Sequence, residues 1–137
     1  MMSHRLVVAL LFALINPVII TPLQAIPLKD HLGKNRVIIT FFSSAREPAR
    51  LALKMQMEER TCAFKDRNLV HMDPLQESEE FDEMGKQFTV LSLGFQLLLL
   101  GKDGGVKLRS SNVSLEDIFS LIDTMPTIRK KMRDDQC

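Results

Sequence analysis

The run Arg36-Val37-Ile38-Ile39-Thr40-Phe41-Phe42 constrains the fold more than any other stretch of this chain. It is continuous in β-branched and aromatic residues and lacks the alternation of a half-exposed strand. It therefore predicts a strand covered on both faces of a sheet. Ser43-Ser44-Ala45 follows as a turn, with Ser44 a candidate helix cap and Pro48 suited to a first helical turn. Pro48 to Arg60 predicts a helix. Leu51 and Met55, with Phe64 beyond them, fall on one apolar face, and Lys54, Glu58 and Glu59 lie elsewhere. Asn68 to Asp73 predicts a second short strand, ended by Pro74. Strand, helix and strand within about forty residues is the pattern of a right-handed parallel unit.

The second half carries a sharper local signal. Phe95 to Leu100 reads as a strand, Gly101-Lys102-Asp103-Gly104-Gly105 as a turn, and Val106 to Arg109 as the returning strand. An Asp-Gly pair between two such runs marks a tight hairpin, because the turn needs a positive φ that these residues tolerate. The glycines sit between strands with no helix behind them, so a phosphate cradle is not indicated. Before the hairpin, Leu75 to Lys86 predicts an acidic helix with Phe81 and Met84 buried. Its run Glu77, Glu79, Glu80, Asp82, Glu83 reads as a solvated face, since the spacing and glycine of a calcium loop are absent. After the hairpin, Ser114 caps a helix with Glu116 and Asp117 in its first turn and Ile118, Phe119, Leu121, Ile122 and Met125 on its apolar face. Pro126 breaks or kinks it, and Thr127 to Gln136 predicts a basic C-terminal helix. The order β-α-β-α-β-β-α predicts an α/β domain. Its four-stranded mixed sheet carries helices on both faces.

Met1 to Ala25 reads as a secretory signal peptide. Arg5 gives the positive start, Leu6 to Ile20 is apolar, and Thr21 to Ala25 supplies the cut, although Leu23 stands where a second small residue would suit better. An uncleaved membrane anchor is the other reading of the uncharged stretch from Leu6 to Leu28. Asn16, Pro17, Pro22, Gln24 and Pro27 interrupt that stretch, which favours cleavage. The expectation is a periplasmic or secreted protein with a lead-in over 26–34 and one domain over 35–137. Removing 25 of the 137 residues leaves 112, room for one small domain. Losing Arg5 from 18 basic against 17 acidic residues leaves no net charge, which argues against a nucleic-acid partner. The tail lacks a strong apolar face, so no membrane binding is expected once the signal is gone.

The β-α-β-α-β-β-α order is also the thioredoxin-like arrangement. The stretch from Arg36 to Arg50 resembles the strand, active-site turn and helix start of thioredoxins. By position, Arg46 and Ala49 stand where the two redox cysteines would be, with Pro48 matching the proline between them. Phe88 to Phe95 resembles the segment before the third core strand, and Gly94 falls at the place of the cis-proline. More closely, the chain looks like domain of unknown function 4174 over about Lys34 to Lys131. The most specific parts are Gly101 to Ser110 and Phe119 to Pro126. That resemblance implies a thioredoxin-like domain of small exported bacterial proteins, related to domains of animal sushi-repeat and coiled-coil-domain extracellular proteins. It implies no established activity. A peroxiredoxin kinship has been supposed for such domains.

Thiol–disulfide exchange needs an activated thiolate and a resolving partner at a helix start, and no cysteine stands there. The expectation therefore leans away from an enzyme. Arg46 could hold an anion with the helix N-terminus, but a solvated loop arginine is the plainer reading. Cys62 is the one low-ranked catalytic candidate. Arg60 and Lys65 nearby favour a thiolate, whereas a helix C-terminus opposes one, and structural burial is the preferred reading. Cys62 and Cys137 could pair within the chain, or Cys137 could pair between chains. His4 is lost with the signal, leaving His31 and His71, too few and too isolated for zinc. His71 is read as a hydrogen-bonded strand residue. Asp73 ends the second strand, where parallel sheets often hold ligands, but a turn cap through Pro74 is preferred. No cofactor and no metal are expected. The leading expectation is a non-catalytic module that binds an unknown protein or envelope component. The alternative is a one-cysteine, peroxiredoxin-like protein using Cys62. A site-free packing domain is a third reading.

Overall fold

The structure, a computed structural model, describes residues 27–90, 94–112 and 114–125. The signal segment, Pro126, the basic tail and Cys137 lie outside these residues. The element order is α1 (Leu28–His31), β1 (Arg36–Phe41), α2 (Pro48–Glu59), α3 (Thr61–Asp66), β2 (Leu69–Met72), α4 (Glu79–Gln87), β3 (Gln96–Leu100), β4 (Val106–Ser110) and α5 (Leu115–Asp123).

The four strands form one sheet in the order β2-β1-β3-β4. β1 pairs parallel with β2, Arg36 opposite Leu69, and antiparallel with β3, Val37 opposite Leu100. Every residue of β1 is buried, as its unbroken apolar run requires of an inner strand. Side chains of one strand alternate between faces, so the run feeds two cores. Ile38, Phe42, Leu97 and Leu99 face α2 and α5, meeting Leu53, Met57, Ile118 and Ile122. Val37, Ile39, Phe41, Leu98 and Leu100 face α4, meeting Met84 and Phe88. The hairpin forms where expected, with Gly104 at φ +80° and Gly101 N–H donating to Gly105 C=O at 2.9 Å. β4 is the exposed edge beyond it.

Four expectations are corrected. The helix from Pro48 does not run through Arg60. Arg60 leaves helical geometry at φ −121°, ψ 30°, and α3 begins afresh at Thr61. α2 buries Leu53 and Met57, while Leu51 and Met55 are exposed. Ser44 is not the cap of α2. Glu47 holds that position without a side-chain bond, and the Ser44 hydroxyl instead accepts from Arg46 N–H at 3.3 Å. The acidic helix starts at Glu79 rather than Leu75. Ser78 caps it by accepting from Phe81 N–H at 3.1 Å, and Glu77 before it takes φ +67°, which interrupts any earlier turn. Ser114 caps α5 as expected, accepting from Asp117 N–H at 3.1 Å.

Candidate functional site

The C-terminal ends of a parallel strand pair meet the start of the following helix here, and four polar side chains converge at that point. Thr40 is the single hydroxyl in the apolar run of β1 and is 1% exposed. A hydroxyl so buried needs partners. It donates to Asp73 Oδ1 at 2.6 Å and lies 2.8 Å from His71 Nε2. Because the Thr40 proton is spent on the carboxylate, His71 Nε2–H is the donor in the second bond. Arg50, in the first turn and a half of α2, donates Nε to Asp73 Oδ1 at 3.3 Å and forms a close ion pair with Oδ2 through Nη2. Its Nη1 donates to Ala45 C=O at 3.0 Å, and its guanidinium lies 4.2 Å from the centre of the Phe42 ring.

Mutual hydrogen bonds hold this cluster together. Asp73 accepts from two side chains, Thr40 is sealed from solvent, and Arg50 binds strand β2 to the loop between β1 and α2. That loop is where the resemblance to thioredoxins puts the reactive pair. Arg46, in that loop, and Ala49, in the first turn of α2, are both exposed. Gly94 precedes β3, and no cis peptide bond occurs among the described residues. Asp73 is corrected: its carboxylate serves Arg50 and Thr40 rather than the turn through Pro74. The reading of His71 as a hydrogen-bonded strand residue holds.

Burial pushes the His71 imidazole below its ordinary value of 6.5. Asp73 opposes that shift, and the positive charges of Arg50 and Lys54 add to it. The unfolded chain thus takes up a proton near pH 6.5 that the folded chain refuses. Stability is full above that pH and is lost as pH falls below it. We expect the melting temperature of His71→Gln to fall less between pH 7 and 5 than that of the natural chain, measured by circular dichroism. Equal slopes would remove His71 from the cause.

Cys62 is the second residue of α3. It is exposed, not buried as expected: α3 turns Ala63 and Phe64 toward the core and leaves Cys62 on its outer side. It is disulfide-bonded, and no cysteine is free among the described residues. The sequence has one other cysteine, Cys137, outside the described residues. His31 accepts from Asn35 Nδ2 at 3.0 Å in the lead-in, which forms the single turn α1. Among the described residues no three His, Cys, Asp or Glu side chains gather as metal ligands. No described helix is long and apolar enough to cross a membrane.

Sequence reasoning did not link Thr40 with Arg50. The signal was the lone hydroxyl in an inner strand, which has to find an acceptor. A second ionic contact was also missed, at the opposite end of the sheet. Arg67 grips Asp123 with two bonds of 2.8 Å and lies 4.4 Å from the Phe119 ring. Arg36 beneath it donates to Arg67 C=O at 2.9 Å.

The family model described as Domain of unknown function (DUF4174) matches residues 27–131. The chain belongs to this family. No curated protein matches the DUF4174 chain in sequence. Its fold is shared with solved peroxiredoxins. The reduced 2-Cys peroxiredoxin of Plasmodium vivax aligns with TM-score 0.61 at 17% identity, over 77% of this chain and 72% of that one. Thioredoxin peroxidase I of Plasmodium yoelii aligns with TM-score 0.55 at 18% identity, over 82% and 83%. The mitochondrial 2-Cys peroxiredoxin of Plasmodium falciparum gives 0.53 at 14%, over 82% and 86%. At such identities the likeness is one of fold, and the DUF4174 domain is an α/β domain of thioredoxin-like type.

Proposed function

We propose that this DUF4174 domain is an exported, non-catalytic binding module that engages a protein or envelope component in the periplasm. One observation carries the reading. The loop that precedes α2 and the first turn of α2 present Arg46 and Ala49 to solvent and no thiol, and a largely buried Arg50–Asp73 contact holds them in place. The export part rests on the signal-like Met1–Ala25 segment.

The fold shared with peroxiredoxins and the exposure of Cys62 favour a second reading, a one-cysteine peroxidase. Such a reaction needs a thiolate, and Cys62 holds a disulfide. Protein recovered from periplasm separates the two. The binding reading expects a mature chain beginning after Ala25, no thiol titratable before reduction, and no peroxide consumption above blank with a dithiol reductant. Peroxide turnover that disappears in Cys62→Ser would establish the peroxidase instead.

A further inference from the structure

Strand β2 is an outer strand of the sheet, with no described strand on its far side. Arg36 N–H donates to Asn68 C=O at 2.8 Å, so the backbone groups of Asn68 point toward β1. Backbone groups alternate in direction along a strand. Val70 and Met72 therefore also bond inward, and Leu69 and His71 turn their N–H and C=O outward. These open groups lie between two hollows, one on each face of β2. One, of about 430 Å³, has Met57, Phe64 and Leu69 in its lining and Lys54, Lys65 and the single acid Glu58 at its rim. The other, of about 500 Å³, is lined by Val70, Met72, Pro74 and the exposed Leu75, with His31 and Glu80 beside them and Asp73 engaged by Arg50 and Thr40. His71 borders both. An added strand sends successive side chains to opposite faces, so one peptide could fill both hollows while bonding the open edge.

We propose that β2 receives an extended peptide segment of a partner as a fifth strand. Its residues on the α2–α3 side are apolar flanked by carboxylates, and those on the α4 side are apolar and uncharged. Charge decides the occupant. Lys54 and Lys65 are exposed, form no ion pair among the described residues and outnumber Glu58, so the rim is net positive and complements carboxylates. A second copy laid edge to edge would set one net positive rim against another. The inference rests on the binding-module reading and names its surface.

The probe is a capped seven-residue peptide, titrated against the mature chain by amide NMR. It has a central leucine, glutamates two positions to either side of it, valines between and serines at the ends. Saturable binding is expected, with slowed hydrogen exchange at the Leu69 and His71 amides. N-methylation of one alternate set of peptide residues should abolish binding, and of the other set leave it, because only one set faces the edge. The exposed double variant Lys54→Glu, Lys65→Glu should weaken binding roughly tenfold or more. Equal binding of both methylated peptides, no saturable binding, or no effect of charge reversal would overturn the proposal. So would protection of Leu69 and His71 before peptide is added. Concentration-dependent protection would assign the edge to a second copy, and concentration-independent protection to the chain itself. Failure of the peptide without peroxide turnover rejects this surface alone. Peroxide turnover at Cys62 rejects the binding-module reading whatever the peptide does.

Discussion

Asp73→Ala is expected to destabilise the domain by about 3 kcal/mol, measured as the shift in urea midpoint at constant slope. The reason is the group left behind. The Arg50 and Asp73 side chains are only 12% and 17% exposed, so the substitution strands a guanidinium against Phe42 with one carbonyl partner left. Thr40 loses its acceptor at the same time, inside the sheet where water does not reach it. Removing both charges should hurt less. Arg50→Met with Asp73→Ala is expected to recover part of the loss, because no unpaired charge is then buried. A loss for Asp73→Ala below about 1 kcal/mol, the range of exposed pairs, would show that the contact does not hold the loop.

Leu53→Ala is expected to cost about 3 kcal/mol and to lower the melting temperature by roughly ten degrees. Leu51→Ala should stay within about 0.5 kcal/mol. The two leucines sit two positions apart on one helix and differ in what they touch. Leu53 is 6% exposed and packs with Ile38, Met57 and the α5 residues, whereas Leu51 is 44% exposed. Equal costs for the two substitutions would mean that α2 is rotated from the position described.

That pair shows where the sequence stops being legible. Along Pro48–Glu59, Leu51 with Met55 and Leu53 with Met57 are both four residues apart, and each pair offers a helix the same apolar stripe. Local pattern cannot choose between them. The sheet chooses, because Ile38, Phe42, Leu97 and Leu99 present a surface that only one stripe reaches when α2 leaves the β1 loop. Helix ends followed the same logic. Ser114 was readable as a cap because its hydroxyl bonds within its own turn. Ser44 was not, because the loop it occupies is set by Arg50, on α2, reaching back to Ala45.

The candidate site divides in the same way. The lack of a thiol at the start of α2 was legible residue by residue, and so was the hydrogen-bonded character of His71. The joining of Thr40, Arg50, His71 and Asp73 was not, since these residues lie up to 33 positions apart and meet only after β2 pairs with β1.

By itself the sequence determined the strand–helix alternation, the tight Asp103-Gly104 hairpin and the thioredoxin-like class, because hydrophobic period and turn chemistry act over neighbouring residues. Tertiary structure alone decided which face of α2 is buried, which side of α3 carries the exposed Cys62, and which strands lie at the outside of the sheet among the described residues. Those outcomes depend on packing between distant segments, and packing energies belong to surfaces that exist only once the sheet has formed.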